Sequence, residues 1–265
     1  MADDERQDDG LLRYERQIVF DGLGAGGQRS LMAGRVLVVG LGGLGSWAAE
    51  LLVRAGVGFL RLVDDDSVEL TNIHRQGLYD EADARRSLSK VAAAADRLRR
   101  ISRAVRIEPV AERVTPGNIE RLAEDVDVIL DGTDNFPTRF LINDAAVKLS
   151  RPWVFAGVVG AEAQTMAIIP ARTPCLRCIL DPEPPPSAER TCRNVGVVGP
   201  AVAAVASFQA AEAMKVLAGR IDLISPYLVK FDLWANTMQR IDVSRTGRRA
   251  DCTCCGHHEY EFLEP

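Results

Sequence analysis

An α/β fold with a mostly parallel sheet, helices on both of its faces and antiparallel strands added in the C-terminal half is what three features of the sequence predict. The first is an apolar run, RVLVVG from Arg35 to Gly40, that leads into a glycine-rich turn and then an apolar helix. The second is the alternation of short apolar runs with helical patterns through the first half of the chain, the mark of a parallel sheet. The third is a change of character after Trp153, where two apolar runs are joined by a tight turn instead of a helix.

Taken in order, residues 11–31 read as a short arm or helix followed by a glycine-rich loop. A strand over 35–39 leads to a helix over 46–54, and a strand over 59–64 to a loop that runs through Tyr79. The helix over 87–101 carries Leu88, Val91, Ala95 and Leu98 at helical spacing. A strand over 105–110, a helix around 116–124 and a strand over 127–130 complete the alternating part. Strands over 153–159 and 165–169 then form a hairpin. The segment 181–191, DPEPPPSAERT, holds four prolines and reads as an exposed loop. A buried helix over 200–217 has Pro200 in its first turn and Gly219 just past its end. Strands over 227–233 and 238–243 follow.

A chain of 265 residues suits one large α/β domain or two small ones, and 47% hydrophobic residues is ample for a core. The net charge of −5 argues against a nucleic-acid partner. No apolar stretch reaches the roughly 18 residues of a membrane span. The N-terminus, MADDERQDDG, is acidic, the opposite of a signal peptide, so residues 1–10 are expected to be a disordered tail and the protein cytoplasmic. Six cysteines in such a chain are expected to be reduced and to serve metal binding or catalysis.

The glycine turn is G-x-G-G-x-G, at Gly40, Gly42, Gly43 and Gly45, and the second strand ends in Asp64, Asp65 and Asp66. Strand, turn, helix, strand and acid in this order make a dinucleotide-binding, Rossmann-like unit. Backbone N–H groups at such a turn and the helix N-terminus favour a phosphate. That much permits an NAD- or FAD-dependent oxidoreductase. TNIHRQ at Thr71–Gln76, Lys90 and DGTDN at Asp131–Asn135 add cations and a second acid that hydride transfer does not need.

Cys175 and Cys178 form one C-x-x-C, and Cys252 and Cys255 a second. Four thiolates suffice for a closed, tetrahedral, structural zinc site with no open position for substrate. Cys254, His257 and His258 compete as ligands, but Cys252 with Cys255 repeats the two-residue spacing and puts Gly256 directly after the knuckle. Cys192 is left over. It follows the proline-rich loop between Arg190 and Arg193, whose charges favour a thiolate, so it is a candidate nucleophile.

Together these motifs resemble the ThiF/MoeB adenylyltransferases, relatives of the ubiquitin-activating enzymes. The resemblance runs from RYERQI at Arg13 to CCG at Gly256. It rests on Arg16, GLGGLG, the D-x-D at Asp64 and Asp66, N-x-x-RQ at Asn72–Gln76, Lys90, TDN at Thr133–Asn135, TC before GV, and the two C-x-x-C hooks. Lys90 stands in SLSK, where MoeB-type sequences tend to have G-x-x-K, and Cys254 is an extra cysteine.

The resemblance implies an enzyme that uses ATP and Mg2+ to adenylate the C-terminal glycine of a ubiquitin-like sulfur carrier ending in Gly-Gly, of ThiS or MoaD type. It implies that the glycines approach the phosphates and Asp64 holds the ribose, with Asp66 beside it. Asn72, Arg75, Gln76 and Lys90 would line the triphosphate site. Asp134 would bind magnesium, with Asn135 near the nucleotide. Arg16 would reach into a partner subunit's site, making a homodimer. On this reading residues 11–265 are one adenylation domain, with a nucleotide-binding half at about 31–150 and a carrier-binding and zinc half at about 151–265. No rhodanese-like segment follows the last knuckle in this sequence, so a separate sulfur donor, a cysteine desulfurase or a rhodanese, is expected. A carboxylate needs no general base to attack phosphorus, so the lack of a Ser/His/Asp constellation fits this chemistry. The alternatives are the oxidoreductase, a scaffold without activity, and a small-molecule- or tRNA-directed member of the same superfamily.

Overall fold

The computed structural model describes residues 10–180, 192–243 and 247–264. Eight strands form one sheet in the order β3-β2-β1-β4-β5-β6-β7-β8. The first five are parallel: β1 (Arg35–Val39), β2 (Phe59–Val63), β3 (Arg106–Val110), β4 (Val128–Asp131) and β5 (Trp153–Val159). The last three, β6 (Glu162–Ile168), β7 (Tyr227–Asp232) and β8 (Thr237–Asp242), continue it antiparallel. The expected fold class is therefore the observed one.

Period-2 alternation divides the core. Val36 and Val38 of β1, with Leu60, Leu62, Val128 and Leu130, face α3 (Gly43–Ala55), α5 (Lys90–Ile101) and α10 (Gly199–Leu217). Leu37, Val39, Val63 and Ile129 point the other way, toward α6 (Ile119–Ala123) and α7 (Phe136–Lys148). β1 is sealed on both sides, which is why it is a continuous aliphatic run instead of an alternating one. The strand order reverses at β1, leaving a crevice beyond the carboxyl ends of β1 and β4, where open α/β sheets bind ligands.

Three helical segments differ from the sequence reading. Residues 24–33 form helix α2, not a glycine-rich loop. Tertiary packing wins there: Gln28 is fully buried and donates from Nε2 to the Ala55 carbonyl at 3.0 Å. The helix expected over 87–101 starts three residues later. The short α4 (Glu81–Arg85) precedes it, Ser87 has φ +47°, and α5 begins at Lys90, whose N–H donates to the Asp66 carbonyl at 2.9 Å. The 13-residue α7 has no counterpart in the reading. Eight consecutive residues, Arg139–Ala146, are buried in it, among them Arg139, Asn143 and Asp144. A helix enclosed on all sides shows no polar face, and its buried polar residues interrupt any apolar one. The strand expected to begin at Thr165 begins at Glu162 instead, next to the turn. The expected N-terminal tail lies, but for Gly10, outside the described residues, as does the proline-rich loop. Among the described residues no helix is long and apolar enough to cross a membrane.

Candidate nucleotide and carrier site

A cavity of about 1140 Å³ opens at the carboxyl ends of β1, β2 and β4 and extends along β5 and β6. The glycine turn forms its floor. Gly40 has φ +85°, a conformation glycine adopts at no steric cost, and its N–H donates to the Val63 carbonyl at 2.8 Å. A side chain at Gly45 would overlap the Gly40 carbonyl oxygen, so this glycine lets α3 pack onto the strand end. Gly42 and Gly43 instead face the cavity, at the N-terminus of the 13-residue α3.

The end of β2 supplies the acids. Asp64 accepts from the Leu41 N–H at 2.6 Å and from the Asp66 N–H at 2.8 Å, which fixes both of its oxygens. Lys90, 6% exposed, donates from Nζ to Asp66 at 2.7 Å and lies 3.9 Å from Asp64. Burial pushes the Asp64 carboxyl above its ordinary value, against the opposing pull of Lys90.

Residues 70–72 form a 3-10 turn, and the Asn72 Oδ1 caps it by accepting from the Glu69 N–H at 3.1 Å. The Arg75 guanidinium is held over this turn by the Thr71 carbonyl at 2.7 Å and by His74 Nε2 at 3.0 Å. Gln76 is 3% exposed, and its buried Oε1 has no hydrogen-bond partner among the described residues. All three residues line the cavity.

The end of β4 contributes the second acid. Asp134 is exposed to the cavity and makes no hydrogen bond or ion pair among the described residues. A free carboxylate facing a phosphate cradle is the donor a magnesium ion takes. Asn135 is the N-cap of α7, its Oδ1 accepting from the Thr138 N–H at 3.0 Å. Gly45 and Arg16 do not line the cavity; Arg16 is exposed on the short α1 (Glu15–Ile18). The Cys192 side chain lies outside the described residues.

Sequence reading gave no role to Arg139 or Gln209. Asp131 is fully buried and pairs with Arg139 Nε at 3.1 Å, while Gln209 Nε2 donates to the Asp131 carbonyl at 2.8 Å. Burial pushes the Asp131 carboxyl up, with Arg139 pulling it down. Removing one member of such a pair typically costs about 3–5 kcal/mol. The available signal was the first acid of DGTDN, which closes an otherwise apolar strand.

On the opposite face of the sheet, Cys175, Cys178, Cys252 and Cys255 place their four Sγ atoms within 4.8 Å of one another, close enough to hold a metal ion. The resolved Sγ–Sγ separations are 3.9 Å for Cys175–Cys178, 3.6 Å for Cys175–Cys252 and 3.4 Å for Cys178–Cys255. A tetrahedron with metal–sulfur bonds of about 2.3 Å has edges of about 3.8 Å, so the donor set fits that geometry. Hydrogen bonding to Cys175 together with burial pushes the Cys178 thiol up to about 12, and burial above all pushes Cys255 up to about 11, so a cation is needed to draw their protons off. Cys254 is not among these four mutually close sulfurs; it borders the cluster at Cys175 and also meets Asn143 and Asp144 of α7.

Sheet order, glycine turn and strand-end acids define a Rossmann-like α/β protein of the nucleotide-binding class. The chain belongs to the ThiF family, whose pattern matches residues 14–254. It is 42% identical over 252 residues to the sulfur carrier protein ThiS adenylyltransferase of Bacillus subtilis, a match covering 95% of this chain and 73% of that protein. It is 38% identical over 252 residues to the sulfur carrier protein adenylyltransferase of Thermus thermophilus, covering 93% of this chain and 91% of that one. It is 42% identical over 249 residues to the adenylyltransferase and sulfurtransferase MOCS3 of Sus scrofa, and there it spans only 54% of the relative's length. Escherichia coli MccB, solved with ATP, shares the fold with a TM-score of 0.78 at 21% identity, over 92% of this chain and 74% of that one. The family resemblance drawn from the motifs is thus borne out.

Proposed function

We propose that this chain is an ATP-dependent adenylyltransferase that activates the C-terminal glycine of a small ubiquitin-like sulfur carrier ending in Gly-Gly, with release of pyrophosphate. The observation that carries the reading is the single cavity shared by the glycine turn, Arg75, Lys90 and the unpartnered Asp134. The names of the relatives give the acceptor class.

The carrier carboxylate attacks the α-phosphorus, a new C–O–P link forms, and the bond to pyrophosphate breaks. The N–H groups of Gly42 and Gly43 face the phosphates at the α3 N-terminus. Asp64 and Asp66 take the ribose end. Arg75 and Lys90, with Asn72 and Gln76 at their side, neutralise the triphosphate as charge moves onto the leaving group. Asp134 would hold magnesium, which supplies further neutralisation of phosphate charge, and Asn135 orients the loop beside it. Arg16 completes the site of a partner subunit in a homodimer. Cysteines 175, 178, 252 and 255 would hold one structural zinc. Cys192 acts after adenylation, with sulfur brought by a separate donor protein, and the whole reaction is cytoplasmic.

The test is ATP–pyrophosphate exchange with a panel of carriers of ThiS and MoaD type. We expect exchange that requires an intact Gly-Gly end. Arg75→Ala is expected to lower it at least about 100-fold, the scale of losing one preorganised charge at a transition state, while the melting temperature stays near wild type. Exchange at the wild-type rate in that variant removes the assignment.

A further inference from the structure

Parallel pairing between β4 and β5 is in register only at Ile129–Trp153 and Leu130–Val154. Beyond that point side chains close the seam. Asp131 Oδ2 accepts from Arg139 Nε at 3.1 Å and from the Ala156 N–H at 3.5 Å. Arg139 Nη2 donates to the carbonyls of Thr133 at 2.9 Å and Ala156 at 3.2 Å. Gln209 Nε2 donates to the Val154 carbonyl at 3.0 Å from the other side. Gly157 lies against the guanidinium, a Cβ there making an ordinary 3.6 Å contact with Nη2. The rings of Phe136 and Phe155 flank it at 5.2 and 5.4 Å.

One guanidinium therefore ties together the end of β4, the loop before Asp134, and the β5 segment that lines the rest of the cavity. The loop from Gly132 to Asn135 is short and anchored at both ends, by Asp131 and by the Asn135 cap. Asp134, between these anchors, has no partner of its own among the described residues, so the anchors set its position. We propose that Arg139 is a positioning residue that, through Asp131 and Thr133, sets the Asp134 carboxylate for the metal-bound triphosphate. The inference rests on the reading of Asp134 given above. Lysine at this position keeps the charge beside Asp131 but replaces a planar fork by a point donor, and cannot hold all three acceptors.

Calorimetric titration of ATP, with and without Mg2+, into the full chain tests this. Arg139→Lys is expected to weaken binding of magnesium-bound ATP about tenfold, as loss of a residue that orients a metal ligand does, and to leave metal-free ATP unchanged. In an Asp134→Asn background it is expected to add nothing. Equal losses with and without magnesium, or additive losses in the double variant, overturn the proposal. Should Arg139→Lys fail to fold, Thr133→Val removes the Thr133 Oγ1–Asp131 bond of 2.6 Å and carries the same comparison; no magnesium-specific loss there overturns it too. A wild-type chain that binds magnesium-bound ATP but exchanges pyrophosphate with no carrier refutes the acceptor and leaves this inference standing. A wild-type chain that binds ATP equally with and without magnesium refutes the role of Asp134, and Arg139 falls with it.

Discussion

Asn143 Nδ2 donates to Cys254 Sγ at 3.3 Å. The same side chain accepts at Oδ1 from the Leu176 N–H, 2.8 Å away, inside the first C-x-x-C. One buried amide on α7 thus bridges both cysteine hooks, and Cys254 takes part in that bridge beside the four-sulfur set, which does not include it. We therefore predict one zinc per chain that survives Cys254→Ser and is lost in Cys255→Ser. Elemental analysis of protein purified without chelator decides it, and the opposite ranking of the two variants moves the fourth ligand to Cys254. Chelation of the zinc is expected to lower the melting temperature, because the cluster joins segments 77 residues apart in sequence.

The raised Asp64 carboxyl gives a pH prediction with two opposite signs. Its folded value lies above the ordinary carboxylate value of about 3.9, chiefly through burial. On the proposed reading the ionised form accepts the ribose hydroxyls, so ATP affinity is expected to fall with pH before an ordinary carboxylate would protonate. The stability contribution runs the other way. It is fully present below the unfolded value and lost as pH rises through the folded one. Titration of ATP into wild type and Asp64→Asn, as pH falls from about 7.5 to the ordinary carboxylate value of about 3.9, is expected to show their affinity ratio shrinking before that value is reached. A ratio that stays constant down to that value contradicts the shift.

The strand-end part of the candidate site was legible because its residues are local in sequence. Gly40 and Asp64 follow an apolar run directly, Asp134 stands three residues past the end of β4, and a parallel sheet carries such positions to one edge. The four cysteines were legible from spacing alone. What escaped depends on contacts distant in sequence. Gln209 reaches Asp131 across 78 residues, and nothing in the run VASFQAAEA marks that glutamine as a seam-closing residue. Arg139 escaped with α7, whose burial on every side erased the period that reveals a helix. Asn72 shows a mixed outcome: it lines the cavity, and it also caps its own turn.

Cys192 is expected to act after adenylation, not during it. On the proposed reading phosphate charge is met by Arg75 and Lys90, so the first step has no use for a thiol. Arg190 and Arg193 flank the cysteine in sequence and favour its thiolate. Attack on the acyl-adenylate forms a thioester with the carrier and releases AMP. Attack on the inner sulfur of a carrier acyl persulfide breaks its S–S bond instead, forming an acyl disulfide and expelling hydrosulfide. Cys192→Ser is expected to keep full pyrophosphate exchange and to lose any reductant-sensitive conjugate with the carrier. Intact-mass spectrometry reads both, and a conjugate that survives the substitution assigns the role to another cysteine.

Two glycines of one motif are expected to fail in different ways. A Cβ at Gly45 overlaps the Gly40 carbonyl oxygen, a backbone atom that cannot move without displacing the end of β1. Gly45→Ala is therefore predicted to lower stability by about 1–3 kcal/mol or more, the range for overpacking a filled core. A Cβ at Gly42 meets only Gln76 Nε2, at an ordinary contact of 3.7 Å, although the Gly42 backbone, at φ −70° and ψ −144°, lies outside the regular helix and strand regions. That methyl group points into the cavity, where a phosphate would otherwise approach the backbone. Gly42→Ala should lose less stability than Gly45→Ala, backbone strain being its only cost, and bind ATP more weakly. Thermal melts paired with ATP titration separate the two cases. Equal losses of stability in both variants contradict the division, and so does wild-type ATP affinity in Gly42→Ala, which would place the phosphates elsewhere in the cavity.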